Sequence, residues 1–173
     1  MHELYQERRI LMRARLRFYS ILVFVLMCGV VFQSVAASQN FMDKEKYLQY
    51  VSEFNKGEDF EKVVSTYYTP DVVLDMSTIR LEGRDKVLKF FIDVHKSMKE
   101  TLKIESLIVD GGKIAAQILG EFYFTEDTDW RGKPMKKGDI LYNKWFVFYD
   151  TRDGKISDIK LCTRSVEFKG ARP

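Results

Sequence analysis

The sequence predicts an α+β fold, because three amphipathic helical segments, with one short strand-like segment among them, come first and four long strand-like segments follow in an unbroken run. Alternation would have built a parallel sheet. Two of the separators between the late segments are short hairpin signals, so the expected sheet is antiparallel. The whole is then a cone: a curved antiparallel sheet closed at one end by three N-terminal helices, and preceded by a signal sequence. With 173 residues, 46% hydrophobic and 14% aromatic, the chain has material for one core and too little for two ordinary domains.

Residues 1–37 come first and read as an export signal. Phe18 to Phe32 carry no charge, follow five arginines (Arg8, Arg9, Arg13, Arg15, Arg17), and lead into the small residues of Gln33-Ser34-Val35-Ala36-Ala37. About fifteen apolar residues fall short of the roughly 20 that a spanning helix needs. Cleavage is therefore expected, and the location is secreted or extracytoplasmic. The alternative is a single-pass membrane anchor, with membrane contact only if this segment is retained. Met12 opens a more compact leader than Met1 does.

Residues 38–173 form the α+β domain. Asp43 caps a helix through Asn55, with Tyr47, Leu48, Tyr50, Val51 and Phe54 at helical spacing and Gly57 as its stop. Asp59 caps a second, short helix with Phe60, Val63, Val64 and Tyr67 on its apolar side, which Thr69-Pro70-Asp71 breaks. A strand from Val72 to Met76 follows. Leu81-Glu82-Gly83-Arg84 then turns into a third helix, Asp85 to Met98, burying Val87, Leu88, Phe91, Val94 and Met98. The strands are Leu102 to Val109, Ile114 to Phe124, Ile140 to Tyr149 and Ile156 to Ser165, rich in β-branched and aromatic residues. Between them lie Asp110-Gly111-Gly112, a polar loop from Asp127 to Gly138, and Arg152-Asp153-Gly154.

Charge and composition exclude several kinds of function. The formal charge is +3, and the leader holds five arginines against two glutamates, a net of three, which leaves 23 basic and 23 acidic residues in the domain. A neutral domain has no electrostatic footprint for nucleic acid. Cys28 lies in the leader and Cys162 stands alone, so the domain has no disulfide framework; His95 is its only histidine, so no metal site is expected. No Gly-rich phosphate cradle, serine elbow or paired-histidine motif occurs, and no cofactor is expected. The loop Trp130 to Gly138 has four basic residues, but Glu126, Asp127 and Asp129 precede it; it reads as a solvated hairpin loop and not an anion site.

Three stretches carry a resemblance: YVSEFNKGEDFEKVVSTYYTPDVVLDM, LEGRDKVLKFF and FYDTRDGKISDIKL. Their order, from about Tyr47 to Val166, resembles the SnoaL-like and ketosteroid-isomerase-like domains of the nuclear transport factor two superfamily. The resemblance implies a pocket between the helices and the concave face of the sheet. Tyr50 stands seven residues before Gly57, where the isomerases carry an oxyanion-binding tyrosine. The isomerases' general-base aspartate falls on Met76, one residue from Asp75, and their second oxyanion donor falls on Trp145, which argues against steroid isomerisation. Scytalone dehydratase places an aspartate five residues after a proline, as Pro70 and Asp75 stand here, but its paired histidines have no counterparts.

The candidate catalytic residues are Asp75, His95 and Tyr50. Strict alternation puts Val72, Leu74 and Met76 on one face and Asp75 on the other, whereas a bulge would turn Asp75 inward as a buried acid or base. His95 lies at the border of the third helix's apolar stripe, as a proton carrier or a packed rim residue. Tyr50 lies at the edge of the first helix's arc, and its hydroxyl would meet a ligand oxygen or a backbone carbonyl. Leu141, Asn143, Trp145 and Val147 share one strand face, as do Ile159, Leu161 and Thr163, and Ala116, Ile118, Gly120, Phe122 and Phe124. As concave faces these make an apolar lining with Asn143, Trp145 and Thr163 as polar points, and Phe122 and Phe91 as apolar ligand contacts. A small hydrophobic, oxygenated ligand is the implied partner, either of a cofactor-free isomerase, cyclase or dehydratase or of a binding or dimerisation module without chemistry. Tyr142, Phe146 and Phe148 make the opposite face apolar too, so a homodimer through the outer sheet face is expected.

Overall fold

The computed structural model describes residues 40–76 and 78–170. The expected export segment, its expected cleavage and the two alternative starts fall outside the described residues. Among the described residues no helix is long and apolar enough to cross a membrane.

Helix α1 (Lys44–Lys56) starts where the Asp43 carboxylate accepts the Lys46 N–H at 2.8 Å, and it ends at Gly57, whose left-handed φ of 64° lets its N–H reach Phe54 O. It buries Tyr47, Tyr50, Val51 and Phe54. Helix α2 (Phe60–Tyr67) is capped the same way, by Asp59 on the Lys62 N–H, and runs straight into strand β1 (Tyr68–Asp75). Thr69-Pro70-Asp71 is thus strand rather than a separate breaker. Proline is tolerated there because the pairing of β1 is irregular between Tyr68 and Val73.

After β2 (Arg80–Glu82), helix α3 covers Arg84–Val94, and His95 caps it with its N–H on Phe91 O. The helix therefore stops four residues short of the expected Met98. Met98 instead opens β3 (Met98–Asp110). The sequence satisfies both patterns there: Val94 and Met98 are a helical pair, while Met98, Glu100, Leu102 and Ile104 alternate as a strand. Pairing with β4 (Lys113–Phe124), from Met98 opposite Phe124 onward, decides for the strand.

The expected polar loop holds a small hairpin, β5 (Thr128–Trp130) and β6 (Lys133–Met135), before the long strands β7 (Ile140–Arg152) and β8 (Lys155–Lys169). Its turn residues Arg131 and Gly132 both have positive φ, 54° and 78°, the pattern of a two-residue hairpin turn whose twist matches its strands. The main sheet has the order β2-β1-β8-β7-β4-β3. It is antiparallel except at β1 and β8, which run parallel with Leu74 opposite Ile159. That one exception follows from connectivity, since β1 leaves through α3 and most of the sheet before β8 returns beside it.

The core is the space between the helices and the concave face. Val72, Leu74, Ile114, Ile118, Phe124, Val147 and Ile156 are almost fully buried there. Asn55 ties α1 to the sheet with two bonds to Leu102, donating to its carbonyl at 3.0 Å and accepting its N–H at 2.7 Å. This clamp sets the height of Tyr50 above β3.

Candidate functional site

A cavity of about 130 Å³ lies inside the cone. Its walls are mostly apolar, with Phe54 and Phe91 from the helices, and Ile118, Trp145 and Val147 from the sheet. That is about the room a single benzene-sized ring occupies. Its exposed lining residues are Arg131 and Thr163, which mark the mouth; Tyr50 and Tyr68, 3% and 0% exposed, mark the enclosed end.

At the enclosed end Tyr50 Oη and Tyr68 Oη are 2.7 Å apart. One hydroxyl donates to the other, which leaves one O–H hydrogen of the pair for a further acceptor. Burial pushes the Tyr50, Tyr68 and Tyr149 phenols well above the ordinary tyrosine range, and the Glu100 charge adds to the rise. All three stay neutral donors at any physiological pH.

Glu100 is the carboxylate of this cavity. It lies between Met98 and Leu102 in the inward register of β3, opposite Phe122, and its side chain is 11% exposed. His95 stands behind it, its ring packed on Phe60 at 4.4 Å between centroids. Nδ1 lies 2.6 Å from Phe91 O, and since a carbonyl only accepts, Nδ1 carries a hydrogen. Nε2 is 3.0 Å from Glu100 Oε2, an ion-pair distance without the alignment of a hydrogen bond. The two groups thus stand together beside an apolar, tyrosine-lined cavity, an arrangement that acid–base chemistry can use.

Residues 47–159 match the SnoaL-like domain family. The chain belongs to that family. No curated protein matches the sequence significantly. Among solved structures, a candidate polyketide cyclase from Xanthomonas campestris pv. campestris is 25% identical, with a TM-score of 0.57 over 65% of this chain and 82% of that one. A SnoaL-like polyketide cyclase from Agrobacterium tumefaciens is 17% identical, with a TM-score of 0.56 over 69% of this chain and 88% of that one. An LEH-like epoxide hydrolase from M. tuberculosis is 14% identical, with a TM-score of 0.53 over 67% and 80%. The last two speak for the fold alone.

In this SnoaL-like domain Tyr50, Phe91, Phe122, Asn143, Trp145 and Thr163 all line the cavity. Asn143 Oδ1 is enclosed and makes no hydrogen bond within the described residues. Asp75 is not among the lining residues: Leu74 and Met76 face the cavity, and alternation turns Asp75 to the other side, where Arg80 Nη1 lies 3.3 Å from its carboxylate. His95 does not line the cavity either; it stands behind the lining residues Phe54, Phe91 and Glu100. Sequence reasoning missed Glu100 because it fell in the gap between the expected helix end at Met98 and the expected strand start at Leu102, where no inward face was assigned. It missed Tyr149 although the alternation from Leu141 through Val147 continues to it, and it missed Tyr68 because that residue sits at a helix-to-strand junction.

The loop read as wholly solvated contributes to the site as well. Trp130 and Arg131 line the cavity. The Trp130 ring packs against Phe122 and Phe124, at 6.0 and 6.2 Å between centroids, and this apolar anchor draws the hairpin over the cone's opening.

Proposed function

We propose that the domain is an exported, cofactor-independent pocket enzyme that moves a proton on a ring-sized, hydrophobic molecule bearing an oxygen, as an isomerase, cyclase or dehydratase would. The observation that carries this reading is the buried Glu100 carboxylate on the cavity wall, backed by His95 and facing a set of neutral tyrosine hydroxyls. Glu100 takes a proton from the carbon next to a carbonyl, and the negative charge that builds on the carbonyl oxygen is held by the Tyr50–Tyr68 pair. Returning the proton to another carbon completes an isomerisation; delivering it to a β-hydroxyl that departs as water, while the enolate pair forms the double bond, completes a dehydration. His95 steadies the charge on Glu100 during the cycle. The candidate polyketide cyclase that is 25% identical supports this class of chemistry, while the cavity's volume favours a single ring over a fused polyketide.

The test needs no knowledge of the natural substrate. Cyclohexanone and 2-cyclohexenone are incubated with the protein in D2O, and loss of the α-proton signal is followed by NMR. The wild type is expected to speed exchange, and Glu100→Gln to slow it by about 100-fold or more. If Asp75→Asn abolishes exchange and Glu100→Gln does not, the base is Asp75 and the assignment above is wrong. The modest volume of the cavity favours a second reading, ligand binding without chemistry; it stands if these ketones bind and no exchange is catalysed.

A further inference from the structure

We infer that the ligand of this cavity carries an anionic group, a carboxylate in the first place, which Arg131 meets at the mouth while an uncharged oxygen points inward to Tyr50 and Tyr68. The inference rests on the pocket reading above and adds the substrate class to it. It starts from the β5–β6 hairpin. Arg131 occupies a turn position with φ 54°, where asparagine or glycine is the ordinary choice and a long charged side chain gains the turn nothing. Its guanidinium lies over the Trp130 ring, 5.4 Å from the centroid, and that ring is itself wedged against Phe122 and Phe124 of the sheet. The cation is therefore held on a platform fixed to the cavity wall. Stacking on a ring face leaves the N–H edge of a guanidinium open, and that edge is the fork that fits a carboxylate.

No carboxylate among the described residues forms an ion pair with Arg131. The acids nearest in sequence are engaged elsewhere: Asp129 Oδ1 accepts the Gly132 N–H at 2.7 Å, and Asp127 takes Lys136 Nζ at 2.8 Å and the Lys137 N–H at 2.9 Å. The hairpin's other cation, Lys133, likewise sits over a ring, Phe168, at 3.9 Å. At the cavity itself the positive charge is Arg131, carried on the Trp130 face, whereas the cavity's own carboxylate, Glu100, is almost enclosed. An anion driven inward would meet like charge, and one left at the mouth meets Arg131. This polarity orients the ligand. With room for about one ring, the class is a small monocyclic carboxylate with a second, uncharged oxygen function.

Benzoate and its neutral isostere benzamide separate the alternatives. Each is titrated into the purified full-length protein, with calorimetry and the fluorescence of the cavity's two tryptophans, Trp130 and Trp145, as readouts. Benzoate is expected to bind about tenfold more tightly than benzamide, with an advantage that shrinks as salt is added. Arg131→Gln should bring benzoate down to the affinity of benzamide and leave benzamide unchanged. Arg131→Lys should retain part of the preference, since an ammonium supplies charge without the fork. Equal binding of the two compounds to the wild type, or a benzoate preference that survives in Arg131→Gln, overturns the anion inference and leaves the pocket reading intact. If neither compound binds, both readings fall.

Discussion

Tyr47, Tyr50, Tyr68 and Tyr149 bring four phenols into one buried cluster, and burial is the main reason each holds its proton beyond the ordinary range. The shift takes Tyr47 to about 12 and the other three well above 10.0. In the unfolded chain these groups lose their protons near pH 10, so from there upward the unfolded state binds fewer protons than the folded one. Stability is unaffected below about pH 10 and falls above it, by about 1.4 kcal/mol per pH unit for each tyrosine still protonated in the fold. Urea midpoints measured from about pH 8 to pH 11 should be flat and then drop steeply, and Tyr149→Phe should soften the drop by one group's share. A midpoint that holds level past pH 10 would show that the cluster ionises freely and is not enclosed. At this scale the sequence made much of the cavity lining legible, because Phe122, Asn143, Trp145 and Thr163 follow from strand alternation alone. Glu100 was hidden because it fell between the expected helix end at Met98 and the expected strand start at Leu102, and the pairing of Glu100 with His95 joins two elements across a turn that no periodicity describes.

Among the elements, β4 and β7 depend on a missing side chain. A Cβ at Gly120 would lie 2.2 Å from Trp145 Cη2 and 2.9 Å from Cζ3, because the indole lies across the strand at that point. Trp145 pairs with Ile118, so its ring leans over the next inward residue of β4. Gly120→Ala should push the indole from its seat, destabilise the protein by about 1–3 kcal/mol, and weaken binding of a ring-sized ligand. Chemical denaturation and tryptophan emission read both effects. A variant of unchanged stability and emission would mean the ring has space to move aside. Helix starts were legible from sequence because capping is local: Asp43 and Asp59 each bond an N–H three residues on. The end of α3 was not, since the helical pattern runs on to Met98 and only pairing with β4 pulls that residue into a strand.

For the whole molecule, the outer face of the sheet is the unfinished surface. Ile108, Ala115 and Phe148 form one row across β3, β4 and β7, and Ile108 and Phe148 are 69% and 56% exposed, with Phe146 beside them at 39%. We propose that a second copy covers this row, and that the chain reaches its compartment without residues 1–37. Native mass spectrometry of the exported protein tests both together. The expected mass is that of a dimer of chains beginning near Ser38, and Phe148→Lys should leave a monomer of the same starting residue. A monomeric wild type would remove the second copy, and an intact leader on membrane-bound protein would favour the anchor.

The sequence alone determined what is local or periodic: the helical half before the run of long strands, the caps, the hairpin turns, and which side of β4 and β7 faces inward. Those features depend on residues within a few positions of one another, where backbone geometry leaves little choice. The tertiary structure decided what depends on distance between elements. It set β1 parallel beside β8, turned Asp75 toward Arg80, brought His95 behind Glu100, and carried Trp130 and Arg131 to the cavity's opening. Each of these is settled by packing energy between segments far apart in the chain, and packing between distant segments leaves no fixed spacing in the sequence to read.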